Sequence, residues 1–477
     1  MAILGVVLCL ASGLLVVAAA WPTQRISLAS LLIKLALSIG FGLGIFSVVF
    51  FVARLVGTTH LFVVDVCSIV LLLFLLALSR VQPMPTALPS ETADINTASW
   101  LRAVLSAAFV LAVLGAVYTA RLRVMAYPHG DGWDAFAIWN LHARFLFLGG
   151  SHWRDGFSAL IPWSHPDYPL LLPGAIAHFW SYLGHDDPRI PALIGFAFTI
   201  AVLALLFSSL VLLRGRNAAM LAGLALSSTP FFVEQGTSQY ADVALSFFIL
   251  ASLVLLHFAW HDGAAGASRS GLLVLSGLSA GFAGWTKNEG LLFFCALVLA
   301  QLWISLRARG PDTISGGPVA HRRSLIPFAL GAAPVLLVIL WFKHSVAGPG
   351  DLFSSPSAMA DLILSPRRYW IIFQWFAKEI LRFGNWWIVP GTIAMLAFYL
   401  LIRHKEARPR ASVSTASLMA LSLTLAGYFL VYVITPRDLY WHLRFSLNRL
   451  FLQLWPSIIF VFFQFAGNQM SAAPKLS

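Results

Sequence analysis

Ile190–Leu213 reads IPALIGFAFTIAVLALLFSSLVLL, an uncharged run set between Arg189 and Arg214. Coiled into a helix at 1.5 Å per residue it extends about 36 Å, enough to cross the roughly 30 Å hydrocarbon core of a bilayer. A helix also satisfies its backbone hydrogen bonds internally, which hydrocarbon demands of any chain that crosses it. Comparable runs occur at 2–20, 29–54, 61–79, 102–120, 217–233, 240–259, 271–286, 288–306, 325–343, 386–402, 416–434 and 449–466. Together they predict an all-α polytopic membrane protein with about thirteen transmembrane helices.

Composition agrees. Of the 477 residues 59% are hydrophobic and 10% charged, where a soluble domain is about a quarter charged. Cys9, Cys67 and Cys295 lie far apart inside apolar runs, which excludes a disulfide framework and a CxxC metal site and leaves them as packing residues. Basic residues outnumber acidic ones, 31 against 19. With no soluble basic domain to hold nucleic acid, that excess points to cytoplasmic loops and to an anionic ligand. Met1–Ala20 lacks the positive start of a signal peptide and is read as a retained helix.

Three connections are strongly basic: Arg214 with Arg216, 307–323 and 403–410. Placing all three in the cytoplasm leaves an even number of spans between each pair. The N-terminus is then expected outside, the C-terminus inside, and the loops 121–189, 234–240, 344–385 and 435–448 outside. The segment 168–184 is short and carries Pro169 and Pro173, which suits a half-inserted helix. The chain divides into three N-terminal helices and a linker (1–100), a central part with the external loop 121–189 (101–310), and C-terminal helices with the loops 344–385 and 435–448 (311–477).

Polar residues at the outer helix ends stand out against this background. Tyr127–Gly150, YPHGDGWDAFAIWNLHARFLFLGG, carries Asp131 and Asp134 and then apolar residues at helical spacing (Phe136, Ile138 or Trp139, Leu141, Phe145, Leu148), with His142 and Arg144 interleaved. The pattern predicts a juxtamembrane amphipathic helix at headgroup depth. Its acids either cap that helix or serve a site. Asp242, near Tyr240, begins another span, and Lys287, Asn288 and Glu289 form the turn between two more. Polar groups beside hydrocarbon are costly and usually face a cavity or a partner. Arg437, His442, Arg444 and Arg449 precede the last span. Snorkelling explains any one of them, whereas four on the outer side suit a phosphate.

In order and placement these features resemble the GT-C fold glycosyltransferases that use polyprenyl-phosphate-linked sugars, in particular bacterial relatives of protein O-mannosyltransferases and aminoarabinose transferases. DAFAIWNLHARFLFLG, from Asp134, is similar to the family's catalytic Asp and juxtamembrane helix, with Ala135 where an acidic neighbour is usual. HPDYPLLLP, from His165 and Asp167, resembles its proline-aromatic segment. GWTKNEG resembles the T-K-x-x-G turn whose lysine lies near the lipid phosphate, and Asp242 is similar in placement to a second acidic residue.

The resemblance implies a membrane enzyme that moves a sugar, with inversion, from a polyprenyl-phosphate donor to a protein, lipid or glycan acceptor at the outer face of the plasma membrane. Asp134 is the first candidate for the base, Asp131 the second, and Asp242 orients base or acceptor. Lys287, Arg437, His442, Arg444 and Arg449 are candidates for holding the phosphate. Trp133, Trp139, His165, Asp167, Tyr240, Asn288 and Glu289 are candidates for lining the substrate site, with interfacial anchoring the alternative for either Trp. Asp131, Asp134, Asp167 and Asp242 are carboxylates a divalent metal would need, but number alone does not call for one, and neither metal nor cofactor is expected. A flippase of lipid-linked saccharides, or a polysaccharide polymerase or ligase of another polytopic fold, is the rival reading.

Overall fold

The structure is a computed structural model that describes residues 1–22, 27–80, 99–261, 266–307, 317–350, 352, 356–386 and 411–466. In chain order its α-helices are α1 (Ala2–Ala20), α2 (Leu28–Val56), α3 (Leu61–Arg80), α4 (Ser99–Ala126), α5 (Asn140–Leu148), α6 (Leu171–Leu183), α7 (Arg189–Arg214), α8 (Arg216–Ser227), α9 (Pro230–Thr237), α10 (Asp242–Ala259), α11 (Gly266–Thr286), α12 (Asn288–Arg307), α13 (Gly317–Ser345), α14 (Pro356–Ile363), α15 (Pro366–Arg382), α16 (Ala411–Ile434) and α17 (Leu439–Ala466).

Ten of these are long and apolar enough to cross a membrane: α1 to α4, α7, α10, α12, α13, α16 and α17. Each matches an expected span. The expected span 217–233 is instead broken into α8 and α9, because Pro230 cannot donate a backbone hydrogen bond and Thr229 before it is extended. The run 271–286 lies within α11, whose 21 residues are long enough to cross but too rich in Ser and Gly to rank with the ten. All of 386–402 except Trp386 lies outside the described residues. The short segment after Pro169 forms α6, 13 residues or about 20 Å, too little to cross.

The bundle is built around α10, whose residues are all buried. Between apolar helices in lipid, association rests on close packing and interhelical hydrogen bonds. Both operate here. Ser252 and Ser276 donate to each other's backbone carbonyls at 3.0 and 2.8 Å, and Ser279 donates to the carbonyl of Phe248 at 2.8 Å.

The N-terminal helices belong to the same core. α2 packs on α6 and α7, and Ser47 of α2 donates to the Leu170 carbonyl at 2.7 Å while accepting from Trp285 Nε1 at 2.9 Å. α3 and α4 lie at the periphery and expose most of their apolar side chains. Cys9 is buried, but Cys67 and Cys295 face out of the bundle and so do not serve as packing residues.

Candidate functional site

Four distant segments bring charged side chains together at one end of the bundle. Two of them are locked by their backbones. Gln239, in the turn between α9 and α10, adopts the left-handed region at φ 62°. Its side chain donates to the Pro128 carbonyl at 2.9 Å and accepts from Asn140 at 2.8 Å. The 127–134 loop is thereby tied to the start of α10. Gly132 allows this approach, because a Cβ there would collide with the Tyr240 hydroxyl. Arg123, at the end of α4, holds Asp131 and also donates to Thr237 at 3.2 Å.

Asp134 follows, just before a π-helical turn at Ala135–Trp139 that leads into α5. It makes no capping hydrogen bond. Its Oδ2 instead accepts from Arg449 Nη1 at 2.6 Å. Arg449, on α17, is partly exposed, and its Nε donates to Asp242 Oδ2 at 2.8 Å. Asp242 is fully buried, and its other oxygen accepts from Lys287 Nζ at 3.0 Å and Gln453 Nε2 at 2.6 Å. Lys287 also meets Glu289 Oε1 at 2.9 Å. Three carboxylates thus share two cations. Burial pulls the Lys287 pKa down, but Asp242 and Glu289 more than offset this and hold it above the ordinary lysine value.

A second small cluster adjoins this one. Asn288 donates to Asp167 at 2.7 Å and accepts from Lys343 at 2.8 Å, while Lys343 also donates to the Asp167 carbonyl. His165, another non-glycine residue at positive φ, stacks on Tyr168 with ring centroids 4.5 Å apart. The Tyr168 ring also stacks on Trp139, at 5.6 Å, and has the Lys287 ammonium 5.8 Å from its centroid. Burial, then the neighbouring carboxylates, raise the Tyr168 hydroxyl well above its ordinary pKa. The Tyr240 ring lies 4.5 Å from the Arg449 guanidinium, and burial with the Asp134 charge pushes its hydroxyl up to about 12. Both stay protonated near neutrality and can donate hydrogen bonds.

Of the candidates, Asp134, Asp242, Lys287, Arg449 and Glu289 meet in one network, with Tyr240 over it and His165, Asp167 and Asn288 beside it. The remaining candidates are outside the ion-pair network. Asp131 is taken by Arg123. Arg437 sits over the Trp441 ring and Arg444 over Phe445. His442 packs on Tyr432 and meets Thr435 Oγ1 at 3.1 Å. Trp133 is exposed and touches Phe136, while Trp139 is buried beneath Tyr168.

The juxtamembrane helix turns one mixed face inward. Trp139, His142, Ala143 and Leu146 point in, while Phe136 and Leu148 are exposed. Gln453, Lys343, Tyr168, Gln239 and Asn140 were not anticipated. An amide one turn after Arg449 in an apolar span, and a lysine ending another, were the available signals. Among the described residues no three His, Cys, Asp or Glu side chains are grouped to hold a metal ion.

Residues 165–317 match the dolichyl-phosphate-mannose-protein mannosyltransferase family, a family of GT-C fold. No curated protein and no solved structure matches the chain. The matched third of the chain contains His165, Asp167, Tyr240, Asp242, Lys287, Asn288 and Glu289, and leaves Asp134 and Arg449 outside it. The match supports a multi-pass membrane glycosyltransferase of the GT-C type.

Proposed function

Taking the chain as such a glycosyltransferase, we propose that it moves a sugar from a polyprenyl-phosphate donor to an acceptor hydroxyl at the outer face of the plasma membrane, inverting the anomeric centre. The acceptor oxygen attacks the anomeric carbon. The bond from that carbon to the phosphate oxygen breaks, and polyprenyl phosphate leaves with the electron pair. The hydroxyl proton passes to Asp134. The phosphate gains one negative charge in this step, so the protein must supply positive charge where that charge grows rather than an acid. Lys287 and Arg449 supply it, and Asp242 fixes both cations. A carboxylate within hydrogen-bond reach of the hydroxyl contributes about 10²–10⁴-fold as a base.

The observation that carries this reading is the single network joining Asp134, Asp242, Lys287 and Arg449. Lipid mass spectrometry of cells expressing wild-type protein, Asp134→Asn or Lys287→Ala tests it. A polyprenyl-phosphate sugar should accumulate in both variants and be consumed in the wild type. Undiminished consumption in a well-expressed Asp134→Asn variant would overturn the assignment. The exposed loop residue Leu160, changed to Cys, should react with an impermeant maleimide from outside intact cells.

A further inference from the structure

The guanidinium of Arg449 is engaged along two different edges by carboxylates of unequal standing. Its Nε is bound to Asp242, which is wholly buried and also bound by Lys287 and Gln453. Its Nη1 is bound to Asp134, which meets no other cation among the described residues and is 23% exposed. One grip is anchored, and the other is at the open side of the network.

As the network stands, the base and one of the two phosphate-holding cations are paired with each other. The bond from Nη1 to Oδ2 of Asp134, at 2.6 Å, occupies one carboxylate oxygen and one guanidinium N–H, groups that an acceptor hydroxyl and a phosphate oxygen would also seek. A guanidinium offers five N–H donors in a fixed fork that fits carboxylate and phosphate alike. An arriving phosphate is therefore a direct competitor for the Nη1 edge, while the Nε edge stays on Asp242.

We propose that Arg449 couples donor binding to release of the base: the donor's phosphate takes the Nη1 edge of Arg449 from Asp134, and Asp134 becomes free to receive the acceptor's proton only once the donor is in place. This rests on the proposed function above and adds an order to it. Without donor, Asp134 is held by Arg449 rather than by the acceptor. With donor bound, leaving-group stabilisation and proton acceptance are switched on by one exchange of partners. Arg449 touches the phosphate and also positions Asp134.

The coupling makes an unusual demand on affinity. If Asp134 competes with phosphate for Arg449, removing its charge should tighten binding of the lipid phosphate while abolishing transfer. A short-chain polyprenyl monophosphate titrated into the full-length protein in lipid nanodiscs measures this. Asp134→Asn should bind it about tenfold more tightly than the wild type, the worth of roughly one exposed competing contact. In an Arg449→Gln background there is no competition to relieve, and the same change should leave affinity within about twofold. Should Arg449→Gln not fold, Asp167→Asn in the otherwise wild-type protein serves instead, since it removes a neighbouring carboxylate that is bound to Asn288 and Lys343 rather than Arg449.

Tighter binding that disappears with Arg449, or that Asp167→Asn does not reproduce, supports the coupling. Unchanged or weaker binding by Asp134→Asn overturns it and leaves the proposed function standing. An equal gain without Arg449, or with Asp167→Asn, also overturns it, because any lost negative charge would then do the same. Absence of binding by every form, the wild type included, overturns the proposed donor class itself.

Discussion

Gln453 donates to Asp242 at 2.6 Å from the same face of α17 that presents Arg449, and its own carbonyl accepts from Tyr428 at 2.7 Å. The amide is thus fixed from behind and fixes the carboxylate in front. Asp242 has the role of an anchor, with Lys287, Arg449 and Gln453 all converging on it. Removing a buried charge from a network leaves its partners uncompensated at about 3–5 kcal/mol. Asp242→Asn should therefore lower thermal stability in detergent by that order, while Asp134→Asn, at the open edge, should cost under about 1 kcal/mol. Equal losses of stability in the two variants would contradict this division of roles.

Gly132 lies where the 127–134 loop passes close to Tyr240. A Cβ there meets the Tyr240 hydroxyl, and that ring in turn lies against the Arg449 guanidinium. Gly132→Ala should push Tyr240, and with it Arg449, out of register and reduce transfer about 10²-fold, the effect of a misplacement near 1 Å. Removing the offending oxygen as well, in Gly132→Ala/Tyr240→Phe, should restore most of the loss. A double variant no faster than Gly132→Ala would show that the contact does not transmit the defect.

The helices and the end of the bundle holding the polar residues were legible in the sequence, because span length and charge asymmetry are one-dimensional signals. Which face each helix turns inward was not. Arg444 and Arg449 lie on the same expected outer stretch, yet five residues turn a helix through about 500°, leaving them some 140° apart. Arg449 enters the network, and Arg444 lies outside it against Phe445. Gln453 is four residues on, about 40° from Arg449, and shares its face. The break at Thr229–Pro230 was readable from the proline and was overridden by the hydropathy of the whole run. Lys343 could not be assigned beforehand, because its partners Asp167 and Asn288 lie far away in the chain.

Asp65 is the one buried side chain among the described residues of α3. It accepts from Tyr182 at 2.5 Å and meets His178 Nε2 at 2.9 Å, both on α6, while His178 Nδ1 bonds to the Phe46 carbonyl at 2.9 Å. A polar cluster at this depth is costly to break and cheap to replace whole. Asp65→Leu alone should destabilise by about 3–5 kcal/mol, because His178 and Tyr182 lose their acceptor. Asp65→Leu/His178→Phe/Tyr182→Phe should recover most of it, as read by thermal unfolding in nanodiscs. A triple variant as unstable as the single one would mean that the cluster sets the position of α6 rather than satisfying its own polar groups.

His142 lies buried in α5 against Phe157, with ring centroids 4.9 Å apart and Nε2 3.4 Å from Ser164 Oγ. Burial first, and the nearby His165 second, lower its pKa from 6.5 to about 3. The folded protein therefore holds His142 neutral, while the unfolded chain takes up a proton as the pH falls below about 6.5. The stability this group contributes is complete above that pH and is lost progressively on the way down to the folded value. Between pH 7 and 5 the loss amounts to about 2 kcal/mol. His142→Phe keeps an aromatic ring against Phe157 and removes the proton site, so its unfolding midpoint should fall less between those two pH values than that of the wild type. If both midpoints fall by the same amount, the acid sensitivity arises from another group, and His142 is accessible to protons in the folded state.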